Sequence, residues 1–198
     1  MGTFTWTDNS VYTGVFRDDL MHGEGKFTWP TGAYYNGAWR NNKKDGKGKM
    51  VYKDGATYEG DWKDDKRDGE GKMTWKNGAS YEGDFVEDVK QGNGTYTWPN
   101  NCQYTGSWDQ GKRTGHGTCS YPDGGKYEGQ FKNNMKEGQG IFTFKDGSQY
   151  LGEWKNDLKE GKGTFTWSDG NKFSGDWAQG ESQKGILMTP DGQRKNIN

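Results

Sequence analysis

Tyr58-Glu59-Gly60-Asp61-Trp62 is followed 23 residues later by Tyr81-Glu82-Gly83-Asp84-Phe85, and the same aromatic-x-Gly-x-aromatic pattern recurs along the chain. Its anchors are Tyr12, Tyr35, Tyr58, Tyr81, Tyr104, Tyr127, Tyr150 and Phe173, with no insertion or deletion between the first and the last. Eleven residues after each anchor, up to Tyr150, comes Gly-x-Gly, as in Gly69-Glu70-Gly71. A strict short period marks a linear array in which each unit buries its apolar side only against its neighbours. That period overrides what a length of 198 residues suggests about domain count. Residues 1–195 read as one array of repeats 12–34, 35–57, 58–80, 81–103, 104–126, 127–149, 150–172 and 173–195. The last is degenerate and capping, and a half-repeat over residues 1–11 precedes the first.

Within a unit, Gly25-Lys26-Phe27-Thr28-Trp29 and Tyr35-Asn36-Gly37-Ala38-Trp39 alternate with period two, the mark of a strand. Turn chemistry lies between such segments: Lys53-Asp54-Gly55, Lys76-Asn77-Gly78, Lys145-Asp146-Gly147. Asp-Gly or Asn-Gly between alternating strands is the strongest short-range hairpin signal. Parity demands an odd-numbered loop, which three residues with Gly32 in a left-handed conformation satisfy. Pairing Trp29 with Tyr35 sets Phe27 opposite Gly37 and Gly25 opposite Trp39, so each large ring is expected over a glycine. Gly37, Gly60, Gly83, Gly106, Gly129 and Gly152 are then structural, clearing space for rings. Polar loops of six or seven residues, such as residues 63–68, are expected to join consecutive hairpins. The fold class is therefore all-β: a single-layer antiparallel β-meander solenoid of about eight 23-residue hairpin repeats and sixteen strands, elongated and twisted, with an aromatic groove.

Composition supports an aromatic core. Four Leu, three Ile and five Val stand against ten Trp, eleven Tyr and nine Phe. The net charge of −1 gives no global attraction to nucleic acid or to anionic membranes. No apolar stretch approaches the length of a transmembrane helix. The first residues, Met1-Gly2-Thr3-Phe4-Thr5-Trp6, carry no export pattern, so Cys102 and Cys119 are expected as reduced thiols of an intracellular protein. His22 and His116 have no companions at metal-ligand spacing. Gly-x-Gly lacks the further glycine and following helix of a phosphate loop. No catalytic residue, metal or cofactor is expected, and the chain reads as a non-enzyme.

The outer face carries acidic residues beside the central glycine, such as Glu59 and Asp61, with Lys26, Lys47, Lys49, Lys72 and Lys162 on paired strands. These read as a solvated face with cross-strand charge pairs. Asn42-Lys43-Lys44 and residues 63–67 read as solvated polar loops. A peripheral membrane module binding acidic phospholipids is the alternative, and it would use those lysines.

The combination Tyr-x-Gly-x-Trp, polar loop, Gly-x-Gly, then aromatic-x-aromatic-x-Asp-Gly resembles the MORN repeat over nearly the whole chain. The resemblance implies single-layer stacks of hairpins that scaffold protein assemblies or contact phosphoinositide membranes. Free-standing arrays of this size are similar to subunits of radial spoke heads and other complexes of motile cilia, which implies a cytoplasmic, cytoskeleton-associated protein of the ciliary or flagellar axoneme. The groove expected to dock partners is formed by Tyr35, Trp39, Tyr58, Trp62, Tyr81, Phe85, Tyr104, Trp108, Tyr127, Phe131, Tyr150 and Trp154. Exposed edges also offer pairing with another such array. Partners are expected to be protein subunits of a larger assembly, with no nucleic acid and with membrane contact not favoured.

Overall fold

A computed structural model describes residues 1–198 as two compact units, Met1–Pro99 and Asn100–Asn198. Unit 1 holds β1 (Gly2–Thr5), β2 (Val11–Arg17), β3 (Leu20–Thr28), β4 (Tyr34–Arg40), β5 (Lys43–Val51), β6 (Thr57–Lys63), β7 (Lys66–Thr74), β8 (Ser80–Val86) and β9 (Val89–Thr97). Unit 2 holds β10 (Gln103–Asp109), β11 (Lys112–Ser120), β12 (Lys126–Lys132), β13 (Met135–Thr143), β14 (Gln149–Lys155), β15 (Leu158–Thr166), β16 (Lys172–Ala178), β17 (Glu181–Met188) and β18 (Arg194–Ile197). Each unit is an antiparallel meander in which every strand pairs with its sequence neighbours. The fold is all-β, as the alternation indicates. Sixteen strands belong to the eight repeats. β1 is the half-repeat, and β18 lies beyond the strand expected to close the array.

The hairpin loops have three residues, the last usually glycine. Trp29 N–H donates to Ala33 C=O at 2.9 Å, and Gly32 N–H donates back to Trp29 C=O at 3.0 Å. Gly32 has φ +83°, the left-handed region that glycine enters without strain. Asn9 takes the same role at φ 68° in the first hairpin, where no glycine is present.

The connections between hairpins are shorter than the sequence suggests. Lys63 pairs with Lys66, leaving only Asp64 and Asp65 as the turn. Both have positive φ, 47° and 69°, the two-residue turn whose twist matches the flanking strands. Asn41-Asn42, Glu87-Asp88, Asn133-Asn134 and Asn156-Asp157 do the same. The supposed six-residue loop is strand for most of its length because Asp and Asn tolerate the left-handed region.

The register also differs from expectation by two residues. Phe27 pairs with Tyr35, Gly23 with Trp39, and Gly25 with Gly37. Glycines therefore oppose glycines, and the row runs Gly14, Gly25, Gly37, Gly48, Gly60, Gly71, Gly83 in unit 1. The ring above each pair comes from an unexpected direction. A Cβ on Gly48 would fall 2.2 Å from Tyr35 Oη, and one on Gly37 2.9 Å from the same oxygen. Tyr35 thus lies flat along its own strand, over the Gly37–Gly48 pair. Ring-over-glycine packing holds in kind, but each tyrosine covers a glycine of its own strand and one of the next. A bulge follows each glycine pair of this kind, as between Gly37 and Trp39.

That bulge explains the two glycines of Gly-x-Gly. Gly60 pairs with Gly71, yet Trp62 pairs with Arg67, so the register jumps between them. Gly69 absorbs the jump at φ +110°, while Gly71 clears space for the Tyr58 ring. Tyr58 Oη donates to the Asp61 C=O at the bulge, at 3.0 Å. Tyr12, Tyr35, Tyr81, Tyr104, Tyr127 and Tyr150 bond the matching carbonyls at 2.9–3.0 Å. A buried hydroxyl and a carbonyl facing the rings thus satisfy each other.

Candidate partner-docking face

The core is a file of rings on one side of the sheet. In unit 1, Trp39 stands edge-on between Tyr12 and Tyr35, at centroid distances of 5.6 and 5.1 Å. Trp62 stands between Tyr35 and Tyr58, and Phe85 between Tyr58 and Tyr81. Unit 2 repeats the motif: Phe131 between Tyr104 and Tyr127, Trp154 between Tyr127 and Tyr150. Edge-to-face packing is a favoured aromatic geometry. Indole N–H groups of Trp39, Trp62 and Trp154 donate to the glycine carbonyls of Gly25, Gly48 and Gly140.

The twelve aromatic residues expected to line an open groove are this core. The tyrosines Tyr35, Tyr58, Tyr81, Tyr104, Tyr127 and Tyr150 are 0 % exposed, and Trp39, Trp62, Phe85, Trp108, Phe131 and Trp154 are 3–7 % exposed. A single-layer sheet covers its rings because each tyrosine packs flat on a glycine pair, the Trp and Phe rings stand edge-on between tyrosines, and further side chains lie over them. Burial raises the tyrosine hydroxyls above their ordinary pKa, Tyr104 and Tyr150 to about 12.

The covering side chains are mostly cations. Directly opposite Trp39, Trp62, Phe85, Phe131 and Trp154 sit Lys44, Arg67, Lys90, Lys136 and Lys159. Lys44 Nζ lies 4.2 Å from the Trp62 ring centroid. Arg67 Cζ lies 5.1 Å from Phe85 and 5.7 Å from Tyr58. Lys136 Nζ lies 4.3 Å from Trp154, and Lys159 Nζ 4.1 Å from Trp177. A cation over a ring face is held by the ring quadrupole. Lys44 and Arg67 are therefore not the solvated loop residues their local sequence suggests. Desolvation pulls the pKa of Lys44, Lys136 and Lys159 down. The signal was present at period 23, since the series Met21, Lys44, Arg67, Lys90, Arg113, Lys136, Lys159 falls at one repeat position.

Several basic residues are bonded within the hairpin stack. Lys43 Nζ is 3.0 Å from Asp64, Lys66 Nζ 3.2 Å from Glu87, and Arg67 Nε 2.8 Å from Asp88. Turn residues also tie neighbouring repeats through the backbone: Asp65, Asp88 and Asp157 carboxylates accept from Lys44, Arg67 and Lys136 N–H at 2.8–3.1 Å. On the opposite face, Lys47–Asp61, Lys49–Glu59 and Lys72–Glu82 pair across strands at 2.9–3.2 Å. Charged residues there line a shallow trough of 880 Å³ in unit 1.

What remains open on the aromatic side is a second row of rings, one per repeat, at the end of each Gly-x-Gly strand. Trp29, Tyr52 and Trp75 in unit 1, and Tyr121 in unit 2, are half-buried; Phe144 and Trp167 are 37 % and 40 % exposed. Tyr52 and Trp75 wall an open depression of 700 Å³ floored by Ala56 and Met73, with Arg67 at its side. Cys102 and Cys119 are free thiols, and Cys119 is buried with its Sγ 3.5 Å from Arg113 Nη1.

No curated protein matches the chain. Among solved structures, the wild-type TCP10 domain of Danio rerio CPAP is similar at 13% identity and TM-score 0.53, covering 100% of this chain and 99% of that one. The SAS-4 (dCPAP) TCP domain of Drosophila melanogaster, solved with a proline-rich motif of Ana2 (dSTIL), is similar at 16% identity and TM-score 0.47, covering 94% and 90%. At 13% identity the likeness to the Danio rerio domain is one of fold alone. The model of the MORN repeat matches residues 12–34, 35–57, 58–80, 81–103, 104–126, 127–149 and 150–172, so the chain belongs to the MORN-repeat family.

Proposed function

We propose that this chain is a non-enzymatic structural scaffold that docks partner proteins, with the half-exposed second row of aromatic rings as the contact surface. The observation that carries this reading is the division of labour between the two rows. One is sealed inside the core, and the other leaves Phe144 and Trp167 open to solvent beside ring-stacked cations. Rigid aromatic rings on a fixed sheet contribute contact area with little loss of side-chain entropy. Trp154 and Trp177 of the buried row back the rings of Phe142 and Phe165, against which Phe144 and Trp167 pack.

The assembly we favour is a ciliary axonemal complex such as a radial spoke, on the strength of the resemblance to all-repeat axonemal subunits, with a cytoskeletal location to match. Recovery of the tagged chain from its own cells tests both levels. A fixed-ratio set of proteins should co-purify with wild type and be depleted by Phe144→Ser with Trp167→Ser in a chain that remains folded by circular dichroism. Equal recovery by both chains refutes the docking surface. A set without axonemal subunits refutes the assembly.

A further inference from the structure

Lys136 on β13 and Lys159 on β15 stand in aromatic surroundings with no carboxylate bonded to either ammonium. The ion pairs of unit 2, Lys126–Glu128 and Lys162–Asp176, lie on the opposite face. Asp157, which acts on Lys136 electrostatically, is bonded to the Lys136 backbone N–H rather than to its side chain. Arg67 of unit 1 differs, being held by Asp88 at 2.8 Å. Both lysines are half-buried. Each ammonium has therefore given up part of its water without gaining an anion, which makes an arriving carboxylate worth more than at an open lysine.

The rings beside them form a connected strip. Phe142 touches Phe144, Phe144 touches Phe165, and Phe165 touches Trp167, at 4.6, 5.5 and 5.0 Å. Lys136 Nζ is 5.3 Å from Phe142 and Lys159 Nζ 5.4 Å from Phe165. A lane of positive charge thus runs beside a lane of exposed rings, both repeating every two strands, about 9.6 Å.

That pitch selects the conformation of what binds. A polyproline II segment has three residues per turn and a rise of about 3.1 Å, so every third side chain returns to one side after about 9.3 Å. Same-side residues of a β-strand recur every ~6.7 Å and fall out of step. Aromatic-lined surfaces suit polyproline II segments, which enter binding already ordered. Building on the docking reading above, we propose that the aromatic face of unit 2 receives an acidic, extended segment of a partner protein. Its carboxylates recur every third residue, one on Lys136 and the next on Lys159. Intervening proline or aliphatic residues rest on Phe144 and Trp167.

A fluorescein-labelled peptide of six Pro-Pro-Glu triplets, titrated with the full chain, tests this. Met21 occupies the position equivalent to Lys136 and Lys159, opposite Phe16, so Lys→Met there suits the fold, and thermal unfolding of the variants checks it. Lys136→Met and Lys159→Met should each weaken binding about tenfold, and together more. The Pro-Pro-Gln peptide, and a peptide with glutamate every fourth residue, should bind at least tenfold more weakly. No binding of the Pro-Pro-Glu peptide, equal affinity for the every-fourth peptide, or indifference to both Lys→Met changes overturns the proposal. Lysine-dependent binding to phosphatidylserine vesicles without peptide binding also overturns it, in favour of lipid phosphate. Should cellular partners still require Phe144 and Trp167 while the Lys→Met pair changes nothing, the acidic segment is refuted and the docking reading survives. Independence from the rings sinks both.

Discussion

Gly48→Ala is the sharpest probe of the packing. A Cβ there would fall 2.2 Å from Tyr35 Oη, 2.3 Å from Cζ and 2.5 Å from Cε2. The ring has nowhere to go: Tyr35 is 0 % exposed, with Trp39 edge-on at 5.1 Å and Trp62 at 5.4 Å. Overpacking of this kind costs about 1–3 kcal/mol. Dislodging the Tyr35 hydroxyl from the Ala38 carbonyl, now 3.0 Å away, adds about 1 kcal/mol. Reduced freedom of the unfolded chain offsets about 0.4–1 kcal/mol. The expected net loss is about 1–3.5 kcal/mol, read by urea unfolding followed through tryptophan fluorescence. Repeating the change in a Tyr35→Leu background isolates the ring, because a leucine branch is too short to reach the glycine pair. Only the unfolded-chain term should then remain, so the coupling equals the overpacking and hydroxyl terms, about 2–4 kcal/mol. An unchanged cost in the Tyr35→Leu background would refute ring-over-glycine packing at this pair, as would a Gly48→Ala chain as stable as wild type.

Trp62→Ala should cost about 3–5 kcal/mol, since a 5 % exposed ring leaves a cavity between Tyr35 and Tyr58. Trp167→Ala, at 40 % exposure, should cost under about 1 kcal/mol in the same denaturation assay, and equal losses would dissolve the distinction between the two rows. Alkaline unfolding should set in above pH 10: the buried tyrosines have folded pKa values raised above the unfolded value of 10.0, so the stability they contribute is complete below pH 10 and is lost as pH rises through the folded values, about 12 for Tyr104. Tyrosinate absorbance should then rise together with loss of the β circular-dichroism signal, and tyrosines ionising near pH 10 in a chain that keeps its fold would contradict this. Asp88→Ala should cost about 1–2 kcal/mol in urea unfolding, by removing the acceptor of Arg67 N–H and Nε and by straining alanine at φ 71°, with Asp88→Asn recovering part of it; an alanine variant equal to wild type would discount the turn-to-turn ladder.

Period, strand alternation and the Asp-Gly turn were enough to read the hairpin and its three-residue loop, because each is a local property of the chain. The register was misread by two residues because parity fixes only which face a side chain takes, and Gly25 can oppose Gly37 or Trp39 without changing faces. What decides between them is where the three-residue loop closes: it joins Trp29 to Ala33, which sets Phe27 against Tyr35 and Gly25 against Gly37. Residues 63–68 read as a loop because of their polarity, yet Asp64 and Asp65 form a two-residue turn while Lys66 and Arg67 continue as strand. The aromatic anchors were identified correctly as one face, yet their exposure depends on what lies over them. Arg67 and Lys136 cover rings from the adjoining strands, a relation that appears only once the strands are paired.

The most direct test of the division between sealed core and open row is photo-crosslinking in cells. Benzoylphenylalanine would replace Phe144 or Trp167 on the ring side, and Leu151 or Ile141 on the opposite face, which are 53 % and 39 % exposed. Crosslinks to a partner protein from residues 144 and 167, and none from 141 and 151, are the expected result. Protein crosslinks confined to residues 141 and 151 would contradict the account and move the docking surface to the other side of the sheet.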